Sequence, residues 1–434
     1  MKNILCTLAC CWIFFALNAQ DELTLERAFE KAMLENFGIQ ISVVNYEISQ
    51  LENHPGNAGL LPRVFLQSGV DYSSNNSKQT FFDGSDRTAN WAGNFSFNTA
   101  VQGEWTVYDG GAGQSRKRIL EGYEQLSESE IEVRSRDLLT RIANAFYAVL
   151  YYQDTEKLLE QSVVFYEDLK NLEQERMQLG RGTRISLLQT QTELNRERAR
   201  LEQVMSWKET ALNDLFRLMN VELEEVVLVS DGYFEEAVLE RDQLLEEVLS
   251  NNPEVLYKAL QQQIFEEEIN LRKSEQYPTV DLIGGVSYNL ARSEVGILQT
   301  NRNLSPYVGA TLRFNIFDGE RSRRAVQSSK LRSEMGMLEL NDFRAGLSYE
   351  IKNRFEEFET AGRLLEMELE NLAISQENLG LAEEMYLAGR ISNFELREVQ
   401  QQAVRAEEAV ADLRRVRATS FIGIIALTNR YFWD

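Results

Sequence analysis

The chain has little histidine, cysteine or proline, and these shortages exclude several kinds of site. Among 434 residues the one histidine is His54, which adjoins the helix-breaking Pro55. The three cysteines, Cys6, Cys10 and Cys11, all lie near the N-terminus. Zinc sites and Cys–His or Ser–His catalysis need these residue types together, so the rest of the chain lacks the material for them. There is also no GxxxxGK[ST] phosphate loop. We therefore expect no enzymatic activity and no cofactor.

Basic residues are also in short supply. The chain has 45 Lys and Arg against 68 Asp and Glu, which gives a formal net charge of −23. Phosphate contacts require Lys and Arg, so a nucleic-acid partner is not expected. Five prolines and a charged fraction of 26% favour long helices with solvated faces.

The first 19 residues are typical of a secretory signal peptide. Lys2 precedes an apolar run from Ile4 to Leu17, and Ala19 offers a small residue for cleavage. An uncleaved membrane anchor is one alternative, but the run has about 14 residues, fewer than the roughly 20 that a membrane-spanning helix needs. A lipid-modified Cys10 or Cys11 is another, but the apolar stretch before it is too short. The mature protein is therefore expected to contain no disulfide.

The remaining sequence is a tandem duplication. Two offsets relate the copies: 216 positions for Asn36 to Asn252 and Pro62 to Pro278, and 209 for Asp109 to Asp318, Gly180 to Gly389 and Gln191 to Gln400. The first copy thus has seven extra residues between its strands. A repeat of this length is a duplicated half-domain and exceeds the periods of solenoid proteins.

Each copy predicts the same order of elements: an opening helix, two strands and a long helical hairpin. Period-two alternation, as in Val280, Leu282, Val286 and Tyr288, indicates the strands. Heptad-like apolar spacing indicates the coiled-coil hairpins, whose first helix would be on the order of 100 Å long. The predicted segments are a signal peptide at 1–19, a first repeat at 20–220 (strands at about 62–73 and 92–108, helical hairpin at 110–220), an equatorial connector at 221–238, a second repeat at 239–429 (strands at about 279–290 and 306–317, helical hairpin at 319–429) and a C-terminal tail at 430–434.

Some details of these elements are also predicted. Each opening helix is expected to be continuous, from Leu23 to about Asn53 and from Leu239 to Ser274. The polar segment 73–90 is expected to be a loop in water. Asp109 and Asp318, which follow the second strand of each copy, are expected to cap the long helices by accepting hydrogen bonds from free N–H groups.

The strands raise the question of how their edges are paired. Four strands are too few to close a barrel, for which about eight is the lower end. Lipid does not tolerate unpaired strand edges, so strands in a membrane would require several chains, and three chains would give twelve strands. Aromatic residues near the strand ends (Tyr72, Trp91, Trp105, Tyr288 and Tyr307) are typical of membrane interfaces. The alternative is a small soluble sheet that caps a coiled coil.

Several motifs resemble those of the TolC-type outer-membrane efflux and secretion channels. They are the opening LTLERAFEKAMLEN, the strand ends WTVYDGG and FNIFDG, and the turns LGRGTRISLLQTQ and YLAGRISNFELREVQ. The resemblance covers essentially the whole mature chain, with two copies of each feature in one order.

This resemblance implies a mixed fold, all-α plus membrane β. It implies a homotrimer with a twelve-stranded barrel in the outer membrane of a Gram-negative bacterium and a periplasmic α-helical tunnel. It further implies a periplasmic adaptor, or membrane fusion protein, as direct partner, an inner-membrane pump as indirect partner, and outer-membrane lipid around the barrel.

The resemblance also implies roles for the hairpin turns. The turns match the adaptor-contact motif of the family at Gly180, Arg181, Gly182, Thr183, Gly389, Arg390 and Ser392. The simpler interpretation is that each glycine only ends a helix in a left-handed conformation.

Glu395, Glu398 and Tyr386 match gate positions of the family, where rings of acidic residues would favour cations. The alternatives are a capping box for Glu395 and a solvated helix face for Glu398. Ile391 and Ser186 occupy the positions of the Arg and the acid of the usual gate lock, which leaves Arg181, Arg184 and Arg390 as substitutes.

The predicted function is a passive outer-membrane exit duct for small molecules in a tripartite efflux system. A type I protein or peptide secretion channel shares this architecture and is the first alternative. A soluble periplasmic coiled-coil scaffold is the second.

Overall fold

The structure is a computed structural model that describes residues 23–221, 239–295 and 298–428. The predicted signal peptide at 1–19 and tail at 430–434 lie outside these ranges, as does the predicted connector at 221–238 apart from Val221. No helix within them combines the length and the apolar character needed to cross a membrane.

The same order of elements occurs twice along the described chain. The helices are α1 (Leu25–Glu35), α2 (Phe37–Glu52), α3 (Ala112–Gln178), α4 (Arg184–Met219), α5 (Arg241–Asn251), α6 (Pro253–Ser274), α7 (Arg321–Leu387) and α8 (Asn393–Leu427), and the strands are β1 (Arg63–Thr80), β2 (Asp86–Tyr108), β3 (Thr279–Ser293) and β4 (Thr300–Arg313). The offset of 216 positions relates α1 to α5 and α2 to α6, and the offset of 209 relates α3 to α7.

The prediction of one continuous opening helix in each repeat is wrong, because an asparagine interrupts it. The Asn36 side chain accepts hydrogen bonds from Gly38 N (2.8 Å) and Ile39 N (3.4 Å), and so caps α2. Its amide also donates to the carbonyl oxygen of Leu218, near the end of α4, at 2.8 Å. Asparagine favours this arrangement because its short side chain competes with the helical backbone for hydrogen bonds.

The second repeat contains the same joint. Asn252 accepts from Glu254 N (3.0 Å) and Val255 N (3.2 Å), and its amide donates to the carbonyl oxygen of Leu427 at 2.9 Å. In both repeats, one side chain therefore starts the second helix and ties it to the end of the returning helix.

The four strands form one antiparallel sheet in the order β1-β2-β3-β4. Within the described chain, β1 and β4 each pair on one side only, so both edges of the sheet are open. The register places apolar side chains on one face, and in the single chain they are exposed: Val64, Leu66, Val70, Tyr72, Val101, Trp105, Leu282, Val286, Leu304, Val308 and Leu312. The other face is largely polar, with residues such as Gln67, Asn98, Glu104, Asp281 and Asn303.

The strands of both hairpins are longer than predicted at the ends next to their connecting loops. The segment 73–90 is mostly strand, since the ladder of paired residues continues to Thr80 and Asp86. β3 and β4 likewise extend through Ser293 and from Thr300. Serine and asparagine do not end a strand whose backbone groups are still paired.

The C-terminal end of β4 deviates in the opposite direction, because the strand is shorter there than predicted. The strand stops at Arg313, although the alternating pattern predicts that it continues to about residue 317. Its partner β3 begins at Thr279, which pairs with Arg313, so the following residues have no strand beside them in one chain.

Tyr307 does not lie with the other strand aromatics. Tyr72, Trp105 and Tyr288 are on the apolar face, whereas Tyr307 is on the polar face. There its hydroxyl donates to the Gln102 side chain at 2.9 Å. Gly285 of β3 lies between them, since it pairs with Gln102 on one side and with Tyr307 on the other.

The turns from strand to long helix are capped by aspartate, as predicted. Asp109 accepts a hydrogen bond from Gly113 N at 2.6 Å, and Asp318 accepts one from Ser322 N at 3.0 Å. These bonds satisfy N–H groups in the first turns of α3 and α7.

The chain divides into two compact units, and each contains parts of both repeats. The helical unit comprises Met1–Val43, Glu130–Val255 and Phe343–Asp434, and the sheet unit comprises Val44–Ser129 and Leu256–Asp342. The hairpin turns belong to the helical unit, and the open-edged sheet belongs to the sheet unit.

Candidate functional site

The first hairpin turn, between α3 and α4, is a tight helix end built around Gly180. Gly180 has φ of +70°, and its N–H bonds to the carbonyl oxygen of Met177 at 3.0 Å. The next N–H, of Arg181, bonds to the carbonyl oxygen of Arg176 at 2.8 Å. These two bonds are a Schellman motif, which satisfies the free carbonyls at a helix C-terminus. Thr183 then caps α4 by accepting a hydrogen bond from Ser186 N at 3.1 Å.

The second turn, between α7 and α8, has the same design. Gly389 has φ of +71° and bonds through its N–H to the carbonyl oxygen of Tyr386 at 3.0 Å. Arg390 N bonds to the carbonyl oxygen of Met385 at 2.8 Å. Both glycines therefore end their helices in the left-handed conformation, as the simpler interpretation predicts.

Glu395 is part of the helix cap of α8. Glu395 N donates to Ser392 Oγ at 3.2 Å, and Ser392 N donates to Glu395 Oε2 at 2.7 Å, which completes a capping box. Hydrogen bonds from the Ser392 backbone and side chain lower the pKa of Glu395, so this exposed group is ionised at neutral pH. Glu398 is also exposed, and Arg405 Nη2 lies 3.7 Å from its Oε1.

Both turns present open glycines, arginines and apolar side chains to solvent. No atom lies within 4 Å of the place that a Cβ would occupy at Gly180 or Gly389. Arg181 and Arg390 are exposed and form no ion pair with any residue in the part of the chain that the structure describes. Exposed large apolar residues surround them: Leu179, Ile185, Leu188, Leu387 and Phe394. Such a surface suits contact with another protein.

Tyr386 is not exposed with these residues, because it is buried between α7 and α3. Its hydroxyl donates to the buried carboxylate of Glu173. Arg176 Nη2 donates to the Tyr386 carbonyl oxygen at 3.0 Å, and the Arg176 guanidinium carbon lies 4.3 Å from the centroid of the Tyr386 ring. Glu173 and Arg176 both belong to α3, so Tyr386 joins the two hairpins within one chain.

A second polar contact joins α8 to α4. The buried Arg397 guanidinium lies 3.4 Å from Glu193 Oε1 and donates to Gln189 Oε1 at 3.4 Å. One turn earlier, Asn393 donates through its amide to Thr190 Oγ1 at 3.1 Å. The buried Arg397 and Asn393 side chains thus have partners on the other hairpin, and removing those partners would leave buried donors unpaired.

Apolar packing surrounds both contacts. The buried cluster consists of Tyr166, Leu169, Leu194, Ala382, Tyr386 and Leu396, contributed by α3, α4, α7 and α8. Nearby, the buried Glu197 accepts a hydrogen bond from Ser162 Oγ at 3.2 Å. Burial raises the pKa of Glu197, and the Arg200 cation opposes that shift.

Glu173, Arg176 and Arg397 are the site residues that sequence reasoning missed. Glu173 is the acidic residue that contacts Tyr386, whereas the position that the resemblance assigns to an acid is occupied by Ser186. The available signal in the sequence was that charged residues, Glu173 and Arg176, follow Leu169 and Leu172 of the heptad-like apolar pattern. No group of three or more His, Cys, Asp or Glu residues within the described ranges is arranged to hold a metal ion.

The fold is that of solved channel proteins. CusC crystal structures match with a TM-score of 0.77 at 14% identity, over 94% of this chain and 92% of CusC. The Campylobacter jejuni CmeC outer membrane channel matches with a TM-score of 0.75 at 14% identity, over 93% of this chain and 85% of CmeC. The Vibrio cholerae outer membrane protein VceC gives 0.75 at 13% identity, over 93% and 95%.

Sequence comparison leads to the same family. The alkaline protease secretion protein AprF of Pseudomonas aeruginosa is 23% identical over 343 residues, which are 76% of this chain and 70% of AprF. The model of the family described as outer membrane efflux protein matches residues 55–221 and 244–430, more than half of the chain. The chain therefore belongs to the outer membrane efflux protein family, whose members are outer-membrane channel proteins and not enzymes.

Proposed function

We propose that three copies of this chain form a passive exit duct for small molecules across the outer membrane. The duct would be a twelve-stranded barrel in the membrane, continued by an α-helical tunnel in the periplasm. With no catalytic constellation in the sequence, transport energy would come from an inner-membrane pump through a periplasmic adaptor.

The open-edged sheet is the observation that carries this proposal. One face of the sheet is apolar and exposed, and the opposite face is rich in asparagine, serine and glutamine. Such a sheet fits lipid on one side and water on the other. Its unpaired edges β1 and β4 could not remain open in lipid, and pairing β4 of each chain with β1 of the next satisfies both.

The hairpin turns are the proposed contact with the adaptor. Gly180 and Gly389 leave open space above the backbone, so another protein can approach closely. Ile185 and Phe394, which occupy equivalent positions in the two repeats, are both exposed and apolar. Arg181 and Arg390 add unpaired positive charge beside them.

The proposed gate lies next to these turns. Tyr386, Glu173 and Arg176 would hold α7 against α3 in the closed duct, and Glu395 and Glu398 would form rings of negative charge in the trimer. In this interpretation the roles are divided: Tyr386 locks the hairpins, whereas the two exposed glutamates select ions.

Protein secretion is the second candidate function. The likeness to AprF, a secretion protein by name, is the observation that favours it. The two candidates share one fold, so the nature of the cognate pump separates them.

Fractionation and electrophysiology of the full-length protein test the proposal. Heat-modifiable trimers in the outer-membrane fraction, and ion-conducting pores in planar bilayers, are expected. A soluble monomer in the periplasmic fraction would instead support the scaffold alternative and refute the duct.

A further inference from the structure

The apolar face of the sheet is uncharged over most of its height. On this face of the described strands β2, β3 and β4, the rows of paired residues contain no charged side chain from the row of Trp105 to the row of Tyr288. The next row contains Arg302, and the row after it contains Arg292, opposite Phe95. Two arginines therefore lie on the apolar face at the point where its uncharged part ends.

The length of the strands places these arginines at a defined level of a membrane. From Trp105 to Phe95, β2 runs ten residues, or about 34 Å at about 3.4 Å per residue. Tilted by about 40°, this length spans about 25 Å, the height of the apolar band of outer-membrane barrels. The helices begin at the Trp105 end and are periplasmic in the proposed duct. Arg292 and Arg302 would thus lie at the headgroup level of the outer leaflet.

Neither arginine has a partner within the described ranges. Both are exposed, and neither forms a hydrogen bond or an ion pair with a described side chain. Arg292 pairs with Thr300, so Arg302, two residues further along β4, is its diagonal neighbour at about 7–8 Å. Two like charges at this separation repel each other, and an anion held between them would be stabilised by both.

The acidic residues at this end of the sheet are engaged elsewhere. Glu294 Oε2 accepts a hydrogen bond from Gly93 N at 2.9 Å. Asp86 Oδ2 lies 2.9 Å from Lys78 Nζ, which forms an ion pair on the first hairpin. The anion that the two arginines favour therefore has to come from outside the chain.

Above the arginines, the first hairpin holds a tryptophan in an unusual conformation. Trp91 has φ of +57°, which bulky side chains rarely adopt, and it is 75% exposed. Its N–H donates to Asn76 Oδ1 at 2.7 Å, at a break in the register between β1 and β2. The indole has no packing that would account for this strain, and strain of this kind is typical of functional positions.

Trp91 belongs to the same face as the arginines. Asn76, which it contacts, follows Tyr72 at an even spacing along β1, and Tyr72 pairs with Phe95 on the apolar face. Trp91 precedes Phe95 by four residues, which is about 13 Å of strand. From the middle of the sheet outwards, one face thus presents apolar side chains, then two cations, then an exposed aromatic ring.

We propose that Arg292, Arg302 and Trp91, here called the rim, bind a phosphorylated glycolipid of the outer leaflet. Its acyl chains would lie on the apolar face, a phosphate between the two arginines, and a sugar ring against Trp91. Guanidinium groups suit phosphate because they donate parallel hydrogen bonds to its oxygens. A phospholipid would leave Trp91 without a contact, which favours the glycolipid. This inference rests on the proposed barrel and names a lipid that the barrel would hold.

Native mass spectrometry of the purified full-length trimer, with diphosphoryl lipid A added in mild detergent, tests the rim. We expect one bound lipid per chain. Arg292→Gln with Arg302→Gln should lower the affinity by about tenfold or more, because charged hydrogen bonds to phosphate are lost. The matched control, Arg63→Gln with Arg313→Gln, removes the same charge from the polar face and should bind as the wild type does. An equal loss in the control would overturn the site.

The chemistry of the ligand is tested separately. The wild type should bind dephosphorylated lipid A as weakly as the double arginine variant binds the phosphorylated form. Equal binding of the two forms by the wild type would overturn the role of the arginines. Excess phosphatidylglycerol should displace little lipid A, and complete displacement would show a phospholipid site and overturn the glycolipid assignment.

Trp91→Gly isolates the aromatic contact. Glycine adopts a φ of +57° without strain, so this variant removes the ring without a folding cost at that position. It should weaken lipid A binding severalfold and keep the dependence on phosphate, and an unchanged affinity would remove the sugar contact. A conducting trimer that binds no lipid A would overturn the rim and leave the duct intact. Absence of any trimer would overturn both.

Discussion

The contact between Tyr386 and Glu173 gives the sharpest prediction about the proposed gate. Tyr386→Phe removes the hydroxyl that donates to the buried Glu173 carboxylate and keeps the ring that packs beside Arg176. If this contact holds α7 against α3 in the closed duct, the variant should open more readily than the wild type.

The expected size follows from the chemistry of the bond. A hydrogen bond to a charged group contributes about 1.5–3 kcal/mol, and its loss leaves a buried carboxylate with one donor fewer. Each 1.4 kcal/mol is a factor of about ten in an equilibrium, so the open population should rise by about tenfold to a hundredfold per protomer. Arg176 remains 3.9 Å from the Glu173 carboxylate and keeps part of its stabilisation.

Single-channel recording in planar bilayers measures the open probability directly. Tyr349→Phe is the matched control, because Tyr349 is an exposed tyrosine on the same helix. Combining Tyr386→Phe with Glu173→Gln should add much less than the sum of the single effects, since both changes remove one contact. An open probability that Tyr386→Phe leaves at the wild-type value, with the trimer intact, would refute the lock.

Three further predictions concern other parts of the helical unit. Replacing Glu395 and Glu398 together by alanine should lower the cation preference of the pore, and an unchanged reversal potential and conductance would remove both from the gate. Burial raises the pKa of Glu197 in the folded state above its pKa in the unfolded chain. Between these two pKa values the folded state holds a proton that the unfolded chain has released, so stability falls as the pH rises from the lower value to the higher one. Glu197→Gln should therefore raise the apparent melting temperature more at about pH 8 than at about pH 4, and equal shifts would contradict this reasoning. Ile185→Asp with Phe394→Asp should abolish binding of a purified adaptor in pull-down assays while the trimer persists, and retained binding would contradict the docking surface.

Local features of the fold could be predicted from the sequence, and features that depend on pairing could not. Alternation correctly grouped Leu282, Val286 and Tyr288 on one face of β3. The strand ends were missed because hydrogen bonding between neighbours decides them: Thr80 continues a ladder through polar residues, and Arg313 ends one where its partner strand begins.

In the candidate site, too, the local features could be predicted from the sequence and the contacts between distant residues could not. The turns at Gly180 and Gly389 and the cap at Glu395 depend on residues within one helical turn, so the sequence pattern reveals them. The partner of Tyr386 lies 213 residues away on another helix, and only the packing of the two hairpins brings Glu173 to it. The resemblance assigns an acid to the position of Ser186, beside the turn, whereas the acidic residue in contact with Tyr386 is Glu173, within α3.

The asparagine joints at Asn36 and Asn252 limit how each half of the protein can change in length. Each amide reaches a carbonyl near the end of the returning helix, at Leu218 or Leu427. One residue inserted into that helix would rotate its end by about 100° and carry the acceptor out of reach. Insertions and deletions should therefore be tolerated in the strand loops, where the two copies already differ by seven residues, and selected against in the returning helices.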